Sequence, residues 1–298
     1  MNKWSHKALI LTALFTIAGC SATAETPALP FKQEKVLSYD PIVAEVNRLN
    51  AKYGVSNVLI VLDIDNTILT SSVDLGGDVW YQWQRGKLDI KPTDEQKVAC
   101  LFEDSIGLLY ELVPMTLTES NVVEIIKQWQ TDGNTLFALT SRAPKYRAAT
   151  ERELYNKGIN LEATALAPIG QPAPVYRETV GRELSYMKGV MMTSGMNKGD
   201  MLEYILQKTD RSFDAFVFVD DSKKNIVDLY EKYKDNKDID ANIFHYVHIE
   251  HQREETFGKI ITEQQALKMD NDWKSLNETL NSLFPQRKLT EGCLSSGD

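Results

Sequence analysis

The apolar run Val58-Leu59-Ile60-Val61-Leu62, passing directly into Asp63-Ile64-Asp65-Asn66-Thr67, constrains this chain more than any other feature. A short run of leucine and β-branched residues reads as a buried strand. Two carboxylates follow at i and i+2, positions that point the same way while the chain stays extended. Side-by-side carboxylates repel unless a cation or a proton sits between them. The pair therefore implies a bound divalent metal, a shared proton, or a solvated turn, since Asp, Asn and Thr are good turn formers.

Related features recur downstream. Thr135-Leu136-Phe137-Ala138-Leu139 is a second apolar strand, ending in Thr140-Ser141-Arg142. Lys198-Gly199-Asp200 opens a helical pattern through Met201, Leu202, Ile205 and Leu206. Residues 213–219 form a third apolar strand, ending in Asp220-Asp221-Ser222. In open α/β sheets ligands bind outside the carboxyl ends of the strands, which is where these polar groups fall.

This ordered set resembles the haloacid dehalogenase-like (HAD) phosphohydrolase superfamily. Its motifs are an Asp-x-Asp-x-Thr strand end, a Thr/Ser strand end, a lysine, and an acidic strand end. All four occur here between Asp63 and Asn225. More narrowly, around Asp65 to Trp83, the chain is similar to an exported bacterial HAD-like family known only as a domain of unknown function. It shares a plan with secreted and lipoprotein acid phosphatases. The resemblance implies an α/β fold of Rossmannoid type, a mostly parallel sheet with helices on both faces and a helical cap inserted after the first strand.

It also implies roles. Asp63 is the expected nucleophile, forming an aspartyl-phosphate that splits one hard step into two. Asp65 is the expected general acid and base, and supplies a main-chain carbonyl to the metal. Thr140 is expected to bond the transferring phosphoryl group, and Lys198 to neutralise it together with Asp63. Lys188, also followed by glycine, competes for that role, but no helical pattern follows it. Asp221 is the expected direct magnesium ligand, with Asp220 as second ligand or support. Oxygen donors with water completing the shell suit Mg2+. Asn225 stands where many relatives carry another acid. Ser141 and Arg142 are candidate phosphate or substrate contacts. Ser141 also reads as a helix N-cap with Pro144 in the first turn, and Arg142 as a surface charge. His6, His245, His248 and His251 form no zinc pattern; the last three read as a strand edge or loop.

The first residues carry an address. A basic start with Lys3 and Lys7 precedes the apolar stretch 8–17, which is too short to span a membrane and reads as a signal peptide over 1–19. Ile17-Ala18-Gly19-Cys20 resembles a lipobox in which Cys20 is lipidated, and Ser21 resembles outer-membrane sorting. Cleavage after Ala22-Thr23-Ala24 is the alternative and would give a soluble exported protein. Either product keeps Cys100 and Cys293, which export permits to pair or to remain free thiols. A formal net charge of −9 argues against general binding to nucleic acid or anionic membrane, but not against a small phosphorylated substrate.

The expected organisation is a tether over 20–40, a core over 41–284 with a cap over about 71–133, and a tail over 285–298. Helices are expected at 41–53, 95–112, 119–131, 141–158, 222–234 and 263–283. The last is expected to pack on the sheet through Leu267, Trp273, Leu276, Leu280 and Leu283. Short strands are expected at 189–193 and 243–248, and an irregular excursion at 168–186. Trp80, Tyr81 and Trp83 open the cap. They read first as packing residues and alternatively as residues that stack on a flat or sugar-like substrate group, with Trp80 the named candidate. Two functions follow. One is an exported Mg2+-dependent phosphohydrolase, for which a phosphotransferase would look the same. The other is a non-catalytic surface lipoprotein that uses the same scaffold for ligand or host-factor binding.

Overall fold

The computed structural model describes residues 31–288; the expected signal segment, Cys20, Cys293 and the end of the tail lie outside them. The described chain begins with β1 (Phe31–Val36), α1 (Asp40–Tyr53) and β2 (Val58–Leu62). Next come β3 (Leu69–Ser71), α2 (Asp78–Gln84), α3 (Ile106–Leu112) and β4 (Met115–Leu117). Because β3 and β4 pair antiparallel, residues 72–114 leave the core and return to it at one place. α4 (Val122–Asp132), β5 (Thr135–Thr140) and α5 (Arg147–Asn156) follow. Then come β6 (Tyr176–Val180), β7 (Arg182–Met187), β8 (Val190–Met192), α6 (Lys198–Lys208) and β9 (Ala215–Asp220). α7 (Lys223–Tyr233), β10 (Asp240–Tyr246), α8 (His248–Phe257) and α9 (Glu263–Leu283) complete the described chain.

Among the described residues the main sheet has eight strands in the order β1-β10-β9-β2-β5-β8-β7-β6. The first six are parallel, and β7 and β6 are antiparallel. β2 sits between β9 and β5, so both its edges are paired and its five side chains are fully buried. The period of two sorts them. Val58, Ile60 and Leu62 join one core with Ile42, Val46 and Leu49 of α1 and Ile126 and Trp129 of α4. Leu59 and Val61 join the opposite core with Leu202 and Ile205 of α6 and Ile226 and Leu229 of α7. The fold is α/β, a mostly parallel sheet covered on both faces, as expected.

Several local expectations need correction. Residues 31–36, placed in the tether, form an edge strand parallel to β10. The helix expected over 95–112 is a 3-10 turn, a π-type turn over Leu101–Ser105, and α3. The helix expected from Ser141 starts at Arg147, after a 3-10 turn at Pro144–Tyr146. Proline disfavours helical backbone at Ala143, which is extended, so Ser141 caps no helix. The excursion at 168–186 ends in the β6–β7 hairpin, turned at Gly181. His248 begins α8 rather than ending a strand. Pro285–Lys288 forms a 3-10 turn.

α9 has the expected bounds and a capping box at Thr262 and Gln265, but it does not pack on the sheet. Ala266 and Met269 join Trp80, Trp83, Leu109 and Ile261 in a third cluster, which Trp273 and Leu276 flank. Leu267 is 54% exposed and Leu283 67% exposed. The last helix thus buttresses the cap. α4, expected inside the cap, lies against the sheet. No helix among the described residues is long and apolar enough to cross a membrane.

Candidate active site

β2 and β9 end side by side, and the site begins where they stop. The Asp63 amide continues the ladder by donating to the Val219 carbonyl at 2.9 Å. Asp63 follows Leu59 and Val61 at a spacing of two, and Asp220 follows Phe216 and Phe218 in the same way, so both carboxylates turn toward α6. There the first helical residue, Lys198, is fully buried. Its Nζ donates to Asp63 Oδ1 and to Asp220 Oδ2, each at 2.6 Å. Asn197 accepts from the Asp200 amide and caps the helix. Gly199 is required for packing, because a Cβ there would lie 2.6 Å from the Asp228 carbonyl oxygen. The competing Lys188 is exposed and pairs with Glu151 at 3.4 Å, away from this cluster.

Among the described residues, Asp63, Asp220 and Asp221 form a group that could hold a metal ion, one carboxylate oxygen of each lying within 4.8 Å of the others. Asn225 is buried, and its amide donates to both Asp220 oxygens at 3.0 and 3.1 Å. The Ser222 amide adds a third donor at 2.9 Å. A ring nitrogen of His245 meets the Asp221 carbonyl at 2.9 Å. His248 and His251 bond elsewhere, to the Leu37 carbonyl and to Glu255.

The electrostatics show too little positive charge for this many acids. Burial pushes the Asp63 carboxyl up to about 8; Lys198 opposes the rise, and Asp220 and Asp65 add to it. Burial, then Asp78, Asp220 and Asp63, hold the Asp221 carboxyl well above its ordinary range. A divalent cation would relieve both. Three hard oxygen donors converging on one point fit Mg2+.

Arg142 is buried and points inward. Its Nε and Nη2 form a two-pronged bond to Asp65 at 2.9 and 2.6 Å, and its Nη1 donates to Thr150 at 2.8 Å. Its guanidinium lies 4.1 Å from the Tyr110 ring centroid. The Asp65 side chain is thus committed to Arg142 and stands outside the three-acid group. Thr140 is buried at the end of β5, its hydroxyl accepting from the Arg142 amide at 3.2 Å. Ser141 is exposed and lines the cleft. The Trp80 ring, 1% exposed, packs on Trp273, the packing role.

Asp63, Asp65 and Asp221 floor a cleft of about 690 Å3 between the strand ends and the cap. Asp78, the first residue of α2, hangs into it from the cap. Burial and the Asp65 charge push its carboxyl up to about 6. The preceding Gly76 and Gly77 pack so closely on Leu109 and Ser71 that a Cβ would lie 2.9 and 2.8 Å from them. Asp78, Tyr110, His245 and the inward turn of Arg142 were not foreseen. The Gly-Gly-Asp sequence was the available signal for the first; the others depend on contacts between distant segments.

Comparison with known proteins adds the following. The chain is 26% identical over 187 residues to a Chlamydia pneumoniae protein named "Putative outer membrane protein", covering 61% of this chain and 67% of that one. Among solved structures it is similar to a hydrolase of the haloacid dehalogenase-like family from Streptococcus pneumoniae. That likeness has 12% identity and a TM-score of 0.32, and covers 63% of this chain and 93% of the other. A family model described as "Protein of unknown function (DUF2608)" matches residues 36–285. That span holds every acid of the cluster and every described helix and strand from α1 to α9, and on it the chain belongs to the DUF2608 family.

Proposed function

We propose that this protein is an exported, Mg2+-dependent phosphohydrolase that cleaves a small phosphomonoester through an aspartyl-phosphate on Asp63. One observation carries the reading. Lys198, fully buried, bridges Asp63 and Asp220 at 2.6 Å, directly beneath the point where Asp63 lines an open cleft at the carboxyl ends of the parallel strands. A buried ion pair is weak evidence for stability, so a triad of this kind calls for a function.

Asp63 Oδ1 is held by Lys198, which leaves Oδ2 to attack phosphorus. As the P–O ester bond breaks, the leaving oxygen takes a proton from Asp65. Asp65 then removes a proton from water, whose oxygen attacks phosphorus, frees inorganic phosphate and restores Asp63. Arg142 holds the Asp65 side chain in one orientation, as the protonated acid that gives its proton in the first step and as the carboxylate that takes one from water in the second. Lys198 offsets charge on Asp63 and on the phosphoryl oxygens. Thr140 and Ser141 stand at the end of β5 beside the phosphoryl position. Asp63, Asp221 and Asp220 would hold Mg2+, with the Asp65 main-chain carbonyl as a further ligand, and the ion when bound would supply positive charge to the phosphoryl oxygens. Transfer to an acceptor other than water would use the same groups.

The decisive experiment is hydrolysis of para-nitrophenyl phosphate with Mg2+, with EDTA, and with Asp63→Asn. Turnover should need the metal and fall by about a thousandfold or more in the variant. Metal-independent turnover, or turnover that survives Asp63→Asn, refutes the mechanism. The name of the Chlamydia relative supports the export half of the reading. We assign Cys20 as the lipidated residue, and absence of radiolabelled palmitate on it would refute the anchor.

A further inference from the structure

The cleft does not share the charge of the chain. The protein carries a formal −9, yet the residues lining the cleft include six cations against four carboxylates. Arg142 is taken by Asp65 and Lys224 by Asp228. Arg182 donates to the Ser194 carbonyl. Arg85, Lys87 and Lys145 remain, and none of them has a carboxylate within ion-pair distance among the described residues. They come from two segments far apart in sequence: Arg85 and Lys87 follow α2 in the cap, and Lys145 lies in the turn after β5.

Each of the three sits against an aromatic ring. Arg85 lies 5.2 Å from the Phe102 centroid, Lys87 5.5 Å from Tyr81, and Lys145 5.3 Å from Tyr146. Lys145 also donates to the Phe102 carbonyl at 2.8 Å. Such rings hold a cation in place at little cost to its outward face. The same placement tells against a cationic substrate. The rings that would cage a quaternary amine already face protein cations, and three more positive charges stand beside them.

The bland account is that exposed lysines and arginines are solvated, and that Arg85 complements the carboxyl end of α2. It does not account for three such cations converging on one cleft in an acidic protein, each over a ring. A volume of about 690 Å3 also leaves room for much more than a transferring phosphoryl group.

We propose that Arg85, Lys87 and Lys145 bind a second anionic group on the leaving portion of the substrate. The enzyme then selects phosphomonoesters that carry a further phosphate or carboxylate over neutral or cationic ones. This names the substrate class of the proposed phosphohydrolase and rests on that reading. The cap side of the cleft would hold the second anion while the first lies over Asp63 and Lys198.

The test uses matched pairs. Glucose 1,6-bisphosphate against glucose 6-phosphate adds a phosphate, 2-phosphoglycerate against glycerol 2-phosphate adds a carboxylate, and phosphocholine adds a cation. For wild type, kcat/KM should favour the doubly anionic member of at least one pair by about tenfold, and phosphocholine should be the poorest substrate. Which pair shows the preference tells phosphate from carboxylate. The preference should fall toward unity in R85Q/K87Q and on raising salt from about 0.05 to 0.3 M. Calorimetric binding to Asp63→Asn repeats the comparison without turnover. Hydrolysis with no preference in either pair overturns the second-anion site and leaves the phosphohydrolase standing. Preferential binding without hydrolysis in wild type upholds the anion site and refutes the phosphohydrolase. A preference unchanged in R85Q/K87Q overturns the assignment to these residues.

Discussion

Asp78→Asn should make the metal-free protein more stable at neutral pH and leave it unchanged in acid. Burial, with Asp65 adding, lifts the Asp78 carboxyl from an ordinary 3.8 to about 6. At about 1.36 kcal/mol for each tenfold change in proton affinity, holding this side chain ionised costs the fold up to about 3 kcal/mol. The sign follows from the raised value. The Asp78 contribution is present in full below about pH 4 and is lost as the pH rises through about 6. The amide carries no such penalty, and its oxygen still accepts from Gln82, which lies 3.2 Å from Asp78 Oδ1. Partial solvent contact of the side chain lowers the figure, so we expect a gain of about 1–3 kcal/mol at pH 7.5. For a protein of this size that is a rise in Tm of about 2–10 °C. The assay is thermal melting in EDTA at pH 4 and pH 7.5. Equal melting temperatures at both pH values, or a less stable variant at pH 7.5, would refute the electrostatic reasoning. Added Mg2+ should narrow the gap, because a cation among Asp63, Asp220 and Asp221 offsets the repulsion that Asp78 adds.

Three other outcomes are expected. Lys198→Met strands Asp63 and Asp220 in the core, so the metal-free protein should lose about 3–5 kcal/mol, read as a lower Tm at pH 7.5, with Mg2+ restoring part; wild-type melting would contradict the triad. Arg142→Lys keeps the charge but loses the fork that orients Asp65, so kcat should fall by about 10–100-fold with KM within about twofold; a change in KM alone would mean that Arg142 serves binding. Cys100 is disulfide-bonded, and its partner lies outside the described residues. If Cys20 carries lipid, peptide mapping without reductant should join Cys100 to Cys293, and a peptide joining it to Cys20 would exclude lipidation there.

The strands that build the site were legible because each is an uninterrupted apolar run ending in polar residues, and Lys198 because a helical period starts with it. α9 was legible in extent but not in destination. Its apolar residues mark a stripe, and nothing in the stripe says whether a sheet or a cap will cover it. β1 escaped because an edge strand with one solvated side reads as Phe-Lys-Gln-Glu-Lys-Val, with no run and a single fully buried side chain. α8 escaped because none of its residues is buried. Arg142 and Asp65 are 77 residues apart, and a salt bridge of that span leaves no local trace. Asp78 was visible only as an acid after two glycines, whose tight seats on Leu109 and Ser71 belong to the folded chain alone.

The direction of β1 has a bearing on how the protein meets its surroundings. The strand runs parallel to β10 from Phe31 beside Ala241 to Val36 beside Tyr246, so the described chain enters the sheet at the end remote from the acid cluster. Six residues of strand carry it about 20 Å toward that cluster. Whatever precedes Phe31 therefore joins the fold at the end of the sheet opposite the cleft.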